Sequence, residues 1–461
     1  MEESSKVRSI LRALPSVDAL RRACQVEELS ANRLTALARN IIDELRDELL
    51  ARGDDSADKE ALLTEAATRL RERVARERRS SLQRGVINAT GVVLHTNLGR
   101  APLGASAIRA VERAAGYCAL EFDMETGARG RRGARVEKLL AEITGAEAAL
   151  VVNNCAAATL LVLTALARGG EAIISRGELV EIGGDFRIPD VMAQSGATMI
   201  EVGTTNRTRL TDYERAINER TRLILRVHQS NYRIVGFAQT PTLAELATLA
   251  RARALPLYED AGSGALVDLS RHGIKGEPII RESIAAGADL VSFSGDKLLG
   301  AAQAGIVVGR RELIEIIGRH PLYRALRVDK LTLAALEATL EAYARDAHFD
   351  EIPTLRMIAL PPETLAQRAR ALAERIVRPE LQVEVVAGQS AVGGGAAPTA
   401  HLPTALIALQ HKRWSAAELE QRLRLNDPPI IARIGDGRVL LDLRTIALEE
   451  ENVVLDALAR L

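Results

Sequence analysis

Aromatic residues are nearly absent from this 461-residue chain: five Phe, six Tyr and one Trp make up 3% of it. A core must therefore be built from Ala, Leu, Val and Ile. Cysteine is as scarce, with only Cys24, Cys118 and Cys155. They are isolated and odd in number, with no CxxC pair and no Cys/His cluster of zinc spacing, so a disulfide framework and a structural zinc site are excluded. A reducing compartment is expected. Net charge is lacking too, since 61 Lys+Arg balance 61 Asp+Glu. That excludes a globally basic nucleic-acid binder but not a local basic patch. The start, Met1-Glu-Glu-Ser-Ser, has neither a basic n-region nor an apolar h-region, so no secretory signal is expected. Uncharged runs are few. Ala148–Ala167 carries Asn153 and Asn154 inside it and reads as strand, turn and helix, while Val385–His411 is broken by glycines and prolines. The expectation is a soluble, cytoplasmic protein with no membrane span.

What is present is globular: 47% hydrophobic and 26% charged residues. At roughly 100–200 residues per domain, the length implies two to four domains. Residues 1–85 read as helices, with apolar residues at helical spacing through Ile10, Leu11 and Leu14 and through Leu34, Leu37, Ile41 and Leu45, and with Ser30 as an N-cap. Between Arg69 and Arg84, seven arginines face only Glu72 and Glu77. This stretch is either a solvated helix face or a surface for phosphate backbone. Residues 86–344 alternate short apolar strands with helices: Ala148–Val152, Glu171–Ser175, Thr198–Val202, Leu223–Val227, Leu257–Glu259, Leu290–Phe293 and Gly305–Val308. That pattern predicts an α/β domain with a mostly parallel sheet buried on both faces. Residues 345–461 predict a small α+β domain, with strands at Leu381–Val386, Ala405–Leu409, Ile430–Ile434 and Arg438–Leu443, helices at Thr364–Ile376 and Ala416–Leu425, and a loop at Gly393-Gly-Gly.

The sharpest chemical signal is Ser292-Phe-Ser294-Gly-Asp296-Lys297, a strand delivering a lysine on a turn. A lysine there can form a Schiff base if burial or neighbours lower its pKa. Asp260, in Leu257-Tyr-Glu-Asp260-Ala-Gly-Ser263, ends another strand, where α/β sheets bind ligands. Such an acid can pair with a protonated pyridine nitrogen. Asn154-Cys155-Ala156-Ala157 turns a strand into a helix of small residues, whose amides can approach a phosphate. Ser294, three residues before Lys297, can donate to the same phosphate. Each feature alone has a plainer reading: a surface lysine, a capping Asp, close helix packing. Their order matches the fold-type-I pyridoxal-phosphate enzymes. Three further segments could bind anions: Asn88–Arg100 with His95 and Asn97, the Arg129–Arg132 loop, and Arg324 with Arg327.

From Asn88-Ala-Thr-Gly-Val-Val-Leu-His-Thr-Asn-Leu-Gly-Arg100 onward the chain resembles the bacterial selenocysteine synthases, the L-seryl-tRNA(Sec) selenium transferases. The resemblance continues through Ser175-Arg-Gly-Glu-Leu-Val-Glu-Ile-Gly-Gly, Val227-His-Gln-Ser-Asn-Tyr-Arg, Tyr258-Glu-Asp-Ala-Gly-Ser-Gly, Ser294-Gly-Asp-Lys-Leu-Leu-Gly and Leu322-Tyr-Arg-Ala-Leu-Arg-Val-Asp-Lys330. It covers nearly the whole chain. Cys155 and Gln229 stand where family members often have Asn and Thr.

The resemblance implies a fold-type-I pyridoxal-phosphate transferase with a helical N-terminal domain. Lys297 would form the Schiff base and move the Cα proton. Asp260 would meet the pyridine nitrogen, with Asn154, Cys155, Ala156, Ser294, Ser263 and His228 also around the cofactor. Arg100, Arg324 and Arg327 would hold selenophosphate, with Asp296 beside the lysine as a catalytic candidate. The helical domain would bind tRNA(Sec) charged with serine, through Arg69, Arg71, Arg73 and Arg76. The implied reaction converts L-seryl-tRNA(Sec) to L-selenocysteyl-tRNA(Sec) by β-elimination to an aminoacrylyl-tRNA and addition of selenium, in a homodecamer. The alternatives are a pyridoxal-phosphate lyase acting on a phosphorylated amino sugar or amino acid, and a catalytically silent RNA-binding protein on this scaffold.

Overall fold

A computed structural model describes residues 11–24, 29–52, 58–79, 85–182 and 186–461. Ile10, Arg84 and the two glycines after Ile182 lie outside the described residues, as do the side chains of Arg78 and Arg79. Packing divides the chain into two compact units: residues 1–86 with 427–429, and residues 87–426 with 430–461.

The first unit contains helices α1 (Val17–Cys24), α2 (Ala31–Arg52) and α3 (Lys59–Arg79). Leu34, Leu37, Ile41 and Leu45 recur at the spacing that lines one face of a helix, and they bury against Leu20, Ala66, Ala67, Leu70 and Val74. The predicted cap is in place, with the Ser30 hydroxyl accepting the Arg33 N–H at 3.3 Å.

The second unit holds a seven-stranded sheet. Its strands are β1 (Ala148–Val152), β2 (Glu171–Ser175), β3 (Thr198–Val202), β4 (Thr221–Val227), β5 (Leu257–Gly262), β6 (Leu290–Ser294) and β7 (Gly305–Gly309). Their order is β1-β7-β6-β5-β4-β2-β3. All neighbours run parallel except β7, which is antiparallel to both β1 and β6. Alternate residues point to opposite faces of each strand. Val151, Val291, Phe293 and Ile306 therefore enter one core, and Leu150, Leu290, Val307 and Leu225 the other. Continuous apolar runs are what a sheet covered on both faces requires. The α/β expectation holds.

A four-stranded antiparallel sheet follows: β8 (Leu381–Ala391), β9 (His401–His411), β10 (Arg433–Gly435) and β11 (Arg438–Asp442), in the order β8-β9-β11-β10. The single strand expected over Ile430–Ile434 is split. Ile430–Ile431 pairs in parallel with Ile87–Asn88, whereas β10 turns into β11 through Asp436 and Gly437, both at positive φ. That is the geometry of a two-residue hairpin. Ile430 is buried and Ile434 is 49% exposed, so the two halves of the run serve different surfaces.

The Asn88–Arg100 segment runs beside the end of β8. Val93 N–H donates to Ala391 O at 3.0 Å and Leu94 N–H to Val392 O at 2.7 Å. Gly393, Gly394 and Gly395 follow with φ of +76°, +65° and +71°. A Cβ on Gly394 would sit 2.8 Å from that of Leu94. Both the backbone and the space demand glycine here. Among the described residues no helix is long and apolar enough to cross a membrane.

Candidate active site

Three parallel strands end side by side. Register aligns Val227 of β4 with Asp260 of β5, and Asp260 with Ser292 of β6. The residues just beyond these ends, His228, Ser263 and Lys297, therefore share the crevice where α/β sheets bind ligands. β7 brings in a fourth segment, because Gly305 pairs with both Ser294 and Val152. A Cβ on Gly305 would overlap the Asn154 carbonyl, so only glycine lets that turn approach.

Lys297 is 5% exposed, and its Nζ donates to Gly395 O at 3.4 Å. The turn that carries it is closed by Gly300 N–H on Lys297 O at 3.0 Å and Ala301 N–H on Gly295 O at 2.8 Å. Burial beside a backbone carbonyl rules out the surface-lysine reading. Asp296 is also buried and takes Arg100 Nη1 at 2.6 Å. Arg100 sits at φ +62°, a left-handed conformation that costs a residue with a Cβ about 1 kcal/mol or more.

Asp260 caps no helix. Its Oδ2 accepts the Thr159 hydroxyl at 3.0 Å, and Cys155 Sγ donates to Oδ1 at 3.4 Å. The Tyr258 hydroxyl reaches Thr159 Oγ1 at 3.1 Å and Ser292 Oγ at 2.7 Å. Burial pushes the Asp260 carboxyl up, while Thr159, Cys155 and the charge of Lys297 pull it down. Burial likewise pushes the Cys155 thiol up, so Cys155 is a neutral donor here rather than a nucleophile.

Helix α4 (Cys155–Ala167) starts at Asn154, whose side chain accepts the Ala157 N–H at 2.9 Å. Asn154 is thus a helix cap, and the amides of Cys155 and Ala156 take no part in it. Ser294 is 6% exposed at the end of β6. Ser263 is fully buried; its hydroxyl lies beside Glu277 without an aligned hydrogen bond. His228 donates its backbone N–H to Asp260 O at 2.9 Å, and its Nε2 lies 3.3 Å from Glu277 Oε2.

The remaining candidates are less concentrated. Arg327 stands 4.0 Å from Glu121, which also holds Arg129 and Arg132 at 2.8 and 3.0 Å. Arg131 pairs with Glu137 at 2.6 Å. Arg324 is exposed in the last turn of helix Pro321–Leu326. Of Arg100, Arg324 and Arg327, the three arginines expected to bind an anion, Arg100 alone contacts a neighbour of Lys297 in the described residues. The Leu326 carbonyl does accept the Asn153 N–H at 3.0 Å, which ties the Arg324–Arg327 segment to the α4 turn. Asn231 Nδ2 donates to Glu181 O at 2.7 Å.

In the first unit, Arg69 pairs with Glu48 at 2.7 Å and Glu65 at 2.6 Å, and Arg73 pairs with Glu44 at 2.9 Å. Arg71 donates to Ala23 O at 2.7 Å. Arg76 makes no ion pair among the described residues. Arg69 and Arg73, two of the seven arginines of this stretch, are therefore matched by carboxylates on α2 and α3.

Sequence reasoning missed Thr159, Tyr258 and Ser292 around Asp260, the Gly395 carbonyl on Lys297, and Glu277 beside His228. Thr159 was within reach, since it follows Cys155 by four residues and lies on the same helix face. Gly395 was not, because nearly a hundred residues separate it from the lysine.

The residues fit pyridoxal 5'-phosphate. A buried lysine faces the crevice, a buried acid lies on the neighbouring strand, and a helix N-terminus and buried hydroxyls stand nearby to meet a phosphate. Comparison with known proteins agrees. The SelA family model, described as L-seryl-tRNA selenium transferase, matches residues 86–447. The L-seryl-tRNA(Sec) selenium transferase of Geobacter metallireducens is 51% identical over 92% of this chain and 92% of its own length. The one from Geobacter sulfurreducens is 49% identical over 98% and 99%. Among solved structures, a D-glucosaminate-6-phosphate ammonia-lyase aligns with a TM-score of 0.56 and 24% identity, over 82% of this chain and 95% of that one. That likeness speaks for the fold alone.

Proposed function

The chain belongs to the family of L-seryl-tRNA(Sec) selenium transferases, and on that premise we propose that it converts L-seryl-tRNA(Sec) to L-selenocysteyl-tRNA(Sec) with pyridoxal 5'-phosphate held at Lys297. The observation that carries the assignment of residues is the buried Lys297 on the turn after β6, its charge felt by the buried Asp260 of the adjacent parallel strand β5.

When bound, the cofactor supplies an electron sink for charge at the Cα of an attached amino acid. The chain's own groups do the rest. Lys297 Nζ would hold the cofactor and would take the Cα proton of the seryl group. Asp260, its two oxygens fixed by the Thr159 and Cys155 donors, would keep a proton on the ring nitrogen. The Cys155 and Ala156 amides, with Ser294 and Ser263, would hold the phosphate. The proton taken from Cα would pass from Lys297 to the seryl hydroxyl, which leaves as water. Selenium from selenophosphate would then bond to Cβ as a proton returns to Cα, and water would cleave the Se–P bond, releasing phosphate. Arg100, Arg324 and Arg327 bind that small, highly charged donor, Arg100 exchanging Asp296 for it. Seryl-tRNA(Sec) docks on the N-terminal helices through Arg69, Arg71, Arg73 and Arg76, and the solvent-facing glutamate pairs of Arg69 and Arg73 are easily traded for phosphates. The working form is a cytoplasmic homodecamer. We place the internal boundaries at residues 85 and 344.

A small-molecule lyase is the weaker reading, because relatives near 50% identity over almost the full length outweigh a fold likeness at 24%. The test is incubation with seryl-tRNA(Sec) and selenophosphate, followed by analysis of the released amino acid. Selenocysteine is expected with wild-type protein only, and neither with Lys297→Ala protein nor on ordinary seryl-tRNA(Ser). Unchanged serine from cofactor-loaded protein would sink the proposal.

A further inference from the structure

Glu277 lies just before helix Ile280–Ala285, outside every motif considered above. Its side chain is only 4% exposed. A carboxylate that deep must find partners within the protein. One oxygen accepts the Ala397 N–H at 2.8 Å, with Arg233 Nη2 at 3.8 Å. The other lies 3.3 Å from His228 Nε2, and neither of these two atoms makes an aligned hydrogen bond. Burial pushes the Glu277 carboxyl up, but His228, Ser263 and the Ala397 amide outweigh that and hold it below the ordinary range. The group is a carboxylate.

Its two contacts lead to the same place. His228 follows β4 and is bonded through its backbone to Asp260. Ala397 ends the glycine loop whose Gly395 carbonyl takes Lys297 Nζ. Ala397 has φ +48°, a strained conformation for a residue with a Cβ, so its loop needs an external tie. Partners of this kind fix the ring orientation and tautomer of a histidine.

We propose that Glu277 is a positioning residue for the cofactor site: one oxygen orients the His228 imidazole toward the cofactor, and the other pins the Gly393–Ala397 loop against Lys297. This rests on Lys297 being the cofactor lysine. Gln at this position keeps an acceptor for the Ala397 amide but removes the charge facing His228.

The experiment compares wild-type protein, Glu277→Gln, His228→Asn and the double variant. Each is loaded with pyridoxal phosphate, and the lysine-bound absorption is followed during dialysis. Glu277→Gln is expected to lose cofactor roughly tenfold faster. Its melting temperature without cofactor should be unchanged, and the double variant should lose cofactor no faster than His228→Asn. Wild-type retention by Glu277→Gln would overturn the inference, as would losses that simply add in the double variant. A Glu277→Gln protein that melts lower without cofactor, or does not fold, would make the residue structural and overturn it too. Wild-type protein that takes up no cofactor at Lys297 would instead overturn the reading of the site itself.

Discussion

The two units use charge in opposite ways. In the N-terminal helices Arg69, Arg73 and Arg33 pair with Glu48, Glu44 and Glu77, all with side chains more than a quarter exposed. Such pairs are worth roughly 0–1 kcal/mol and can be remade with any partner of the right sign. In the second unit Lys297, Asp260 and Asp296 are 5%, 6% and 7% exposed. Lys297 and Asp260 take their partners from the Gly393–Gly395 loop and from helix α4, and a buried charge that loses its partner is costly. An exposed arginine surface is thus suited to a large, repetitive polyanion, and a buried lysine with buried aspartates nearby to one small molecule in one orientation.

The comparison breaks most sharply at the lysine. Lys297→Ala should lower selenocysteyl-tRNA formation at least about 10³-fold in single-turnover assays, with the circular dichroism spectrum unchanged. A loss of fold instead would mean that Lys297 is structural. Asp260→Asn should cost about 10²-fold and alter the cofactor's absorption, because a neutral amide cannot balance a proton on the ring nitrogen. In the other unit, replacing Arg69, Arg71, Arg73 and Arg76 together by Gln should weaken tRNA binding about tenfold and flatten its salt dependence, leaving cofactor absorption untouched. Unchanged salt dependence would remove this surface from the tRNA path. Smaller still, Asn154→Ala should lower stability by about 1 kcal/mol in urea melts, the usual loss for a helix cap.

The same contrast decides what could be read from sequence. Strand ends were legible because buried parallel strands are continuous apolar runs, and the residue after each run faces the crevice. Lys297, Asp260 and the Asn154 turn follow from that rule. Partners contributed across sequence distance were not legible. Thr159 and Ser292 meet Asp260 only through helix packing and register, and Gly393–Gly395 read simply as a loop. The arginine stretch was legible as composition and not as a free patch, since the compensating Glu44 and Glu48 lie on another helix, some twenty-odd residues upstream. The split of Ile430–Ile434 escaped for a similar reason, its first half being claimed by Ile87–Asn88 from the other end of the chain.

One pair combines both behaviours and so sharpens the contrast. Arg131 is 73% exposed, whereas its partner Glu137 is 9% exposed and lines a small cavity with Tyr323 and Leu333. Burial pushes the Glu137 carboxyl up to about 7, against the pull of Arg131, from the ordinary value of 4.5. The fold therefore favours the protonated form. Below about 4.5 both folded and unfolded chains carry the proton, and no penalty arises. As pH rises from there to about 7 the unfolded chain gives up its proton first, so stability falls across that window and then levels. Glu137→Gln should remove this slope, leaving the variant more stable than wild type at pH 8 by an amount on the order of 1 kcal/mol, and equal to it near pH 4.5. Some slope will remain, because burial raises Glu178 to about 7 as well. Thermal melts of both proteins across this range decide the matter: parallel curves would mean that Arg131, exposed as it is, holds Glu137 as firmly as a buried partner would.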